Sequence, residues 1–162
     1  MLEDFSHKLK FNNMDEWVAF VRAYMRDYPA LNRIISGEET SDRTIKMLTY
    51  LAIDEFNTLI GVPTSYNFEN FPSYALLLYK VVGEILLTLS ILNFRNQLAY
   101  NVGGISVSFS DKGSVYVNLR NVFEQLWQQY ANKIKVRINI ERTYSLNGVN
   151  SEYSYLYYYW YL

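Results

Sequence analysis

The stretch from Tyr74 to Phe94 reads YALLLYKVVGEILLTLSILNF and decides the fold of this chain. It is long enough to cross a bilayer as a helix, but a helix that is apolar on nearly every side is equally expected at the centre of a bundle. Lys80 and Glu84 lie near its middle, where each charge would cost about 2.5 to 3.5 kcal/mol inside a membrane. Because they are one helical turn apart, the two side chains can instead form a salt bridge. We therefore predict a buried core helix.

Hydrophobic spacing predicts three more helices around this core helix. Asn13 and Glu16 form a capping-box pattern before the first helix, which we expect to end near Tyr28 because a proline follows. In the fourth helix, the apolar residues from Val115 to Ile134 keep helical spacing. The predicted ranges are 41–60 for the second helix, 73–99 for the core helix and 114–136 for the fourth.

A two-residue repeat follows the core helix. Ile105, Val107 and Phe109 alternate with serines, which is the pattern of a short strand with one apolar face. A single short strand is not stable alone, so its partner strand lies either in this chain or in a neighbouring subunit. We name these three residues as candidates for an inter-subunit strand. The predicted fold class is mainly α: a small bundle of about four helices with a short β-strand or hairpin element and an extended aromatic C-terminal tail.

The last ten residues contain six tyrosines and one tryptophan and no charged side chain. Aromatic surface of this kind promotes association where it is exposed. The run 157–161 is aromatic on both faces, so a strand there needs protein on both sides; a final strand folded onto its own domain is the alternative. We favour docking onto another subunit, with a helical domain over 1–142 (1–12 as an N-terminal arm) and an extended docking tail over 143–162. The candidate docking residues are Tyr153, Tyr155, Tyr157, Tyr158, Tyr159, Trp160 and Tyr161.

The sequence carries no recognisable catalytic motif. It has no cysteine, which excludes thiol nucleophiles and thiolate metal sites, and its one histidine, His7, lies in the N-terminal arm. The acidic pairs 38–39 and 54–55 are the remaining candidates for general acid–base chemistry. We interpret them as solvated residues, with Asp54 able to face a polar contact in the interior. The prediction is no enzyme, no metal and no cofactor.

The charge balance argues against a protein that coats nucleic acid. The net charge is −1, and the nearest basic stretch, Lys133-Ile-Lys135-Val-Arg137, is short. We interpret that stretch as a solvated face at the end of a helix.

The arrangement of these segments resembles the head–tail connector proteins (adaptor or neck ring proteins) of tailed bacteriophages. The matching parts are the helices predicted over 41–60, 73–99 and 114–136, the strand that follows Gly103, and the C-terminal tail. The segment 94–108, FRNQLAYNVGGISVS, is similar to structural proteins of large phages, including the ring proteins of crAss-like phages.

This resemblance implies a structural virion protein. In the family pattern, twelve copies form a ring that extends the portal channel, lets double-stranded DNA pass without sequence-specific binding, and serves as the platform for tail attachment. The tail of this chain would dock on the portal protein or on an adjacent tail or ring protein, and no membrane would be involved. The protein would assemble in the host cytoplasm and reside in the neck of the virion. The alternative is a peripheral membrane or envelope-associated protein anchored by the Tyr/Trp-rich tail, although that tail lacks the lysines and arginines usual in such anchors.

Overall fold

The computed structural model describes residues 10–31, 37–59, 63–95, 100–102, 105–107 and 112–147. Within these ranges the chain forms four α-helices and a two-stranded antiparallel sheet, so the predicted mainly helical fold is confirmed. The helices are α1 (Met14–Met25), α2 (Asp42–Thr58), α3 (Tyr74–Arg95) and α4 (Lys112–Asn147), and the strands are β1 (Tyr100–Val102) and β2 (Ile105–Val107).

The start of α1 follows the predicted capping pattern. The Asn13 side-chain oxygen accepts a hydrogen bond from the Glu16 amide at 2.8 Å. The Glu16 carboxylate accepts from the Asn12 amide at 2.9 Å, one residue earlier than a standard capping box requires. The helix ends at Met25, before its predicted end, because Arg26 adopts the left-handed conformation with φ of 57° and its amide closes the last turn.

The core helix α3 lies at the centre of the bundle. It packs against α4 along much of its length and also contacts α2 and α1. By length and composition alone α3 could cross a membrane, and 61% of its most apolar 18-residue window is buried inside the bundle. The prediction that this stretch is a buried core helix is confirmed.

Aromatic rings fasten the connector between α2 and α3 to the core. Phe68 and Phe71 are buried, and the Tyr74 hydroxyl donates to the Phe68 carbonyl at 2.7 Å. The ring centroids of Phe56 and Phe71 lie 5.1 Å apart, and Phe56 also contacts the Trp127 ring at 6.0 Å. The connector is therefore held by ring packing.

The helix α4 is longer than predicted. It continues past residue 136 to Asn147, so the first five residues of the predicted tail (143–147) are helical and the prediction of an extended segment there is wrong. Ile134 and Ile138, one turn apart, both pack on the core and carry the packed face past residue 136. Further along, Arg142 donates to the Pro63 carbonyl at 3.2 Å, which holds this part of the helix against the connector.

The strand β2 pairs with β1 of the same chain. Their antiparallel register places Tyr100 opposite Val107 and Val102 opposite Ile105. The sequence left open whether the partner of β2 lies in this chain or in a neighbouring subunit. Within the described residues, β1 of the same chain occupies one edge of β2. A strand from another subunit could therefore pair only with the other edge. Phe109, the third residue of the predicted strand, lies outside the described residues.

Replacing Gly83 by alanine is expected to raise the free energy of unfolding by up to about 1 kcal/mol. Gly83 lies in the middle of α3, and a methyl group added there would meet the Phe123 Cβ at 3.5 Å and the Arg120 carbonyl at 3.9 Å, which are ordinary contacts. Alanine also has the better helix propensity. Equilibrium unfolding in urea measures the change, and Gly83→Leu, which would force α3 and α4 apart, should be destabilising instead.

Candidate interaction site

One buried lysine, Lys80, joins three helices. Lys80 of α3 has a side chain that is 6% exposed, and its Nζ atom lies 2.9 Å from Glu55 of α2. The same atom lies 3.0 Å from Glu84 of α3, so the predicted salt bridge within the core helix is confirmed. It also lies 3.1 Å from Glu124 of α4. The ammonium group therefore holds carboxylates from α2, α3 and α4 together.

Neighbouring groups complete this charge cluster. The Trp127 indole donates to Glu55 at 3.1 Å, and Arg120 lies 3.8 Å from Glu124. Burial by itself lowers the pKa of Lys80, but its hydrogen bonds to the three carboxylates outweigh burial and raise that pKa above 10.5. A lysine held in its charged form is a poor nucleophile, so the cluster is suited to fastening helices and not to covalent chemistry.

Of the two acids 54 and 55 on α2, Glu55 binds the buried Lys80. Asp54 is exposed, as the interpretation of this pair as solvated residues predicts, and it does not face an interior contact. The Glu55 side chain is also 41% exposed, but its carboxylate is bound to Lys80, which that interpretation did not include. Glu55 follows the buried Ala52 by three positions and therefore lies at the edge of the apolar face that meets α3. The sequence did carry one signal for this contact, which is the presence of Lys80 in an apolar helix. A buried ammonium group needs carboxylates from neighbouring segments.

A second buried cation holds the chain between α1 and α2. Arg22 of α1 pairs with the buried Asp27 at 3.2 Å and donates to the Thr40 carbonyl at 2.7 Å. Its Nη2 atom also lies 2.7 Å from Glu38, and its Nε donates to Asp42 at 2.9 Å. The guanidinium thus binds the loop and the first turn of α2 at once, which fixes α1 against α2.

The acidic pair 38–39 belongs to this joint. Glu38 is a partner of Arg22, and the Glu39 amide donates to Asp27 at 2.7 Å. Burial and the nearby Asp27 raise the pKa of the Glu39 carboxyl. Glu38 and Glu39 are both exposed, as the interpretation of this pair as solvated residues predicts.

The basic stretch near the end of α4 is only partly a solvated face. Lys133 and Arg137 are exposed, as expected. Lys135 is 1% exposed, donates to the Thr64 hydroxyl at 2.9 Å and lies over the Phe56 ring, so the interpretation is wrong for this residue. Burial, with a smaller contribution from Arg142, lowers the pKa of Lys135.

The surface between α2 and α3 has a shallow cleft of about 420 Å³. It is lined by apolar residues such as Leu51 and by Glu55, Lys80 and Glu84. Lys80 already binds Glu55 and Glu84 in this cleft, so these three groups are held by one another. Among the described residues, no group of three or more His, Cys, Asp or Glu side chains is placed to hold a metal ion.

The exposed side of α4 carries aliphatic side chains that the sequence did not predict to be exposed. Val115 and Val122 are each 54% exposed, and Leu119 is 45% exposed. The spacing of these residues on a helix suggested core packing, but Phe123 and Trp127 take that role on the adjacent face. Between residues 113 and 132 the charged side chains of α4 are Arg120 and Glu124, and both are engaged at the Lys80 cluster. The outward side over this range is therefore uncharged, with aliphatic side chains among amides.

Only some of the predicted docking and strand residues lie in the described part of the chain. Ile105 and Val107 lie on β2. The tail residues lie outside the described part of the chain, and so does His7. The tail residues concerned are Tyr153, Tyr155, Tyr157, Tyr158, Tyr159, Trp160 and Tyr161.

Comparisons of the chain with protein families, with curated proteins and with solved structures found no match.

Proposed function

We propose that the chain is a structural protein that assembles with copies of itself into a ring at the head–tail junction of a tailed-phage virion. The observation that carries the proposal is the uncharged apolar side of α4, with Val115, Leu119 and Val122 about half exposed. The centres of subunit interfaces are depleted of charge and more apolar than the rest of the protein surface. The resemblance to head–tail connector proteins supplies the setting: the ring extends the portal channel and forms the platform for tail attachment.

The use of charge inside the bundle supports a structural role. Lys80 and Arg22 are each buried against several acidic partners from different parts of the fold. Such networks fix how helices are placed relative to one another, and a ring subunit needs a rigid body. Glu38 and Glu55, two of the four candidate acids, are bound to these cations.

The net charge of −1 suits a conduit for DNA. A strongly basic channel would bind phosphates and release counterions, which would hold the genome in place. In the proposed ring, double-stranded DNA passes the lumen without sequence-specific binding. The aromatic tail docks on the portal protein or on a neighbouring tail or ring protein, with Tyr157, Tyr159 and Trp160 among its contacts.

Substituting serine for Tyr157, Tyr159 and Tyr161 in the full chain is expected to lower the mass of the assembly and leave the fold intact. The physical reason is that these rings contribute area to a contact between subunits, which multiplies around a ring. Sedimentation velocity measures the mass, and thermal unfolding followed by circular dichroism reports on the fold. Tyr50→Ser, which changes a tyrosine on α2 that is 59% exposed, is the matched control. If the triple variant unfolds, the tail belongs to the core of its own domain and the docking role is wrong.

Liposome flotation separates the proposed function from its alternative, a peripheral membrane protein anchored by the tail. The ring protein is expected to stay at the bottom of the gradient with neutral and with anionic vesicles. Flotation that the three tail substitutions abolish would support the membrane alternative and contradict the proposed function.

A further inference from the structure

Aromatic rings from three helices form a row at the edge of the bundle. The ring centroids of Tyr24 and Phe123 lie 6.4 Å apart, those of Phe123 and Tyr79 lie 6.2 Å apart, and those of Tyr79 and Tyr130 lie 6.3 Å apart. Tyr24 is 48% exposed and Tyr130 is 44% exposed, while the two rings between them are partly buried. We call this set the ring row, and it consists of Tyr24 of α1, Tyr79 of α3, and Phe123 and Tyr130 of α4.

The ring row follows the axis of α4. Phe123 and Tyr130 are seven positions apart, so they lie on the same side of the helix and about 10.5 Å apart along its axis. The Tyr79 ring lies between them, because it is close to both. In an extended chain every second side chain is on the same side, with a spacing of about 6.6 Å. An extended segment that runs along α4 can therefore place one side chain against each ring.

The C-terminal segment 148–162 has the alternation that such a contact needs. Its last four even-numbered residues are all apolar or aromatic, and every odd-numbered residue from 153 to 161 is a tyrosine. Residues 153–162 carry no charged side chain, so packing them on the uncharged rings buries no charge. The even-numbered side is the more apolar of the two, because it holds both leucines. It consists of Leu156, Tyr158, Trp160 and Leu162.

The length of this segment and the position of its start also fit the ring row. The helix α4 ends at Asn147, and a glycine directly after a helix is typical of a change in chain direction. Along the α4 axis, Asn147 is about 26 Å from Tyr130 and about 36 Å from Phe123. Residues 151–162 span about 40 Å when extended. A chain that turns back after Gly148 therefore reaches the part of the row that α4 carries.

We propose that the segment 148–162 folds back along α4 of its own chain and places its even-numbered side chains on the ring row. The segment is tethered, so its effective concentration at the row is in the millimolar range, and a contact too weak to hold a separate peptide is sufficient. A strand that is aromatic on both faces needs protein on both sides, and the row supplies one of them.

This placement divides the proposed docking residues between two surfaces. Trp160 lies on the ring row, and Tyr157 and Tyr159 point away from the subunit towards the partner. The contact with the row belongs to the single subunit, whereas the outward role of the odd-numbered tyrosines rests on the proposed function.

Cysteine cross-linking tests the contact directly, because the chain has no cysteine of its own. Tyr130→Cys combined with Tyr158→Cys places one thiol in the ring row and one on the even-numbered side of the segment. The matched control combines Asn132→Cys with Tyr158→Cys, since Asn132 is exposed and lies about 200° around α4 from Tyr130.

Under mild oxidation of the full chain, the Tyr130→Cys pair is expected to form a disulfide within one chain at several times the initial rate of the control pair. Equal rates would overturn the contact. Disulfides formed mainly between two chains would also overturn it, because the segment would then lie on another copy.

Limited proteolysis tests the same contact without cysteine. Chymotrypsin cleaves after aromatic residues, and the double variant Tyr24→Ser/Tyr130→Ser is expected to be cut within residues 153–161 several times faster than the wild type. Tyr50→Ser, which changes a tyrosine that is 59% exposed, is the control and should be cut at the wild-type rate. Both substituted rings are about half exposed, so the double variant should keep its circular dichroism spectrum. An unchanged rate of cleavage would overturn the contact.

The mass of the protein in solution separates this inference from the proposed function. Disulfides within one chain in a protein that stays monomeric at every concentration would support the contact with the ring row and contradict the ring. Disulfides between chains in a closed assembly would overturn the contact and leave the ring standing.

Discussion

Replacing Lys80 by methionine is expected to lower the free energy of unfolding by about 3 to 5 kcal/mol. The substitution leaves Glu55, Glu84 and Glu124 together without the ammonium group that now binds all three. Removing one partner of a buried charge cluster is far more damaging than removing an exposed pair. Equilibrium unfolding in urea measures the loss.

The matched control is Lys46→Met. Lys46 pairs with Asp15 at 2.6 Å on the surface, so its loss should leave the unfolding midpoint unchanged within error. A Lys80→Met protein as stable as the Lys46→Met protein would show that the three carboxylates are hydrated and that the cluster does not fasten the helices.

The contribution of Lys80 to the free energy of unfolding should change with pH in a defined direction. The pKa of Lys80 is raised above 10.5 in the folded protein, so its contribution to stability is fully present below pH 10.5 and is lost as the pH rises through the folded value. The difference in unfolding free energy between wild type and Lys80→Met should therefore be constant from about pH 8 to about pH 10 and should shrink above about pH 11. Taking the difference between the two proteins removes the effect of tyrosine titration, because both proteins contain the same tyrosines. A difference that grows with pH would contradict the assigned role.

Replacing Trp17 by alanine is expected to lower the free energy of unfolding by about 3 to 5 kcal/mol. Trp17 is fully buried, and its ring lies 5.2 Å from the Phe11 ring and 5.9 Å from the Tyr74 ring. Its indole donates to the Thr49 hydroxyl at 2.9 Å, so the same side chain joins α1 to α2 and to the start of α3. Urea unfolding measures the change.

Two further substitutions separate packing from hydrogen bonding at Trp17. Trp17→Phe keeps most of the ring contacts and loses the bond to Thr49, so it should be clearly less damaging than alanine. Tyr24→Ala, on the exposed side of the same helix, should have a small effect because Tyr24 is 48% exposed. Similar losses for Trp17→Ala and Tyr24→Ala would mean that α1 is not a firm part of the core.

The features that could be predicted from the sequence are those with local signals. The length and composition of α3 mark it as the core helix, and the salt bridge from Lys80 to Glu84 lies within one turn. Ser41 caps α2 by accepting from the Thr44 amide at 3.2 Å, a pattern contained in four residues. Hydrophobic spacing and capping chemistry are sufficient for these elements because no distant residue takes part.

The features that could not be predicted depend on contacts between distant segments. Glu124 lies 44 positions from Lys80, and nothing in the local sequence of either residue indicates that they meet. The end of α4 lies beyond its predicted position because Ile138 and Ile140 alternate with polar residues, as they would in a strand. In the helix Ile138 packs on the core, and Ile140 is partly buried on a different face.

The measurement that tests the central claim most directly is the mass of the intact, full-length protein in solution by native mass spectrometry. The subunit has a mass of 19.1 kDa, so a ring appears as one dominant multiple of that value that does not change as the protein is diluted. We expect such a closed species, with class averages from electron microscopy showing a central channel. A monomer at 19.1 kDa over the whole range of concentrations would contradict the account.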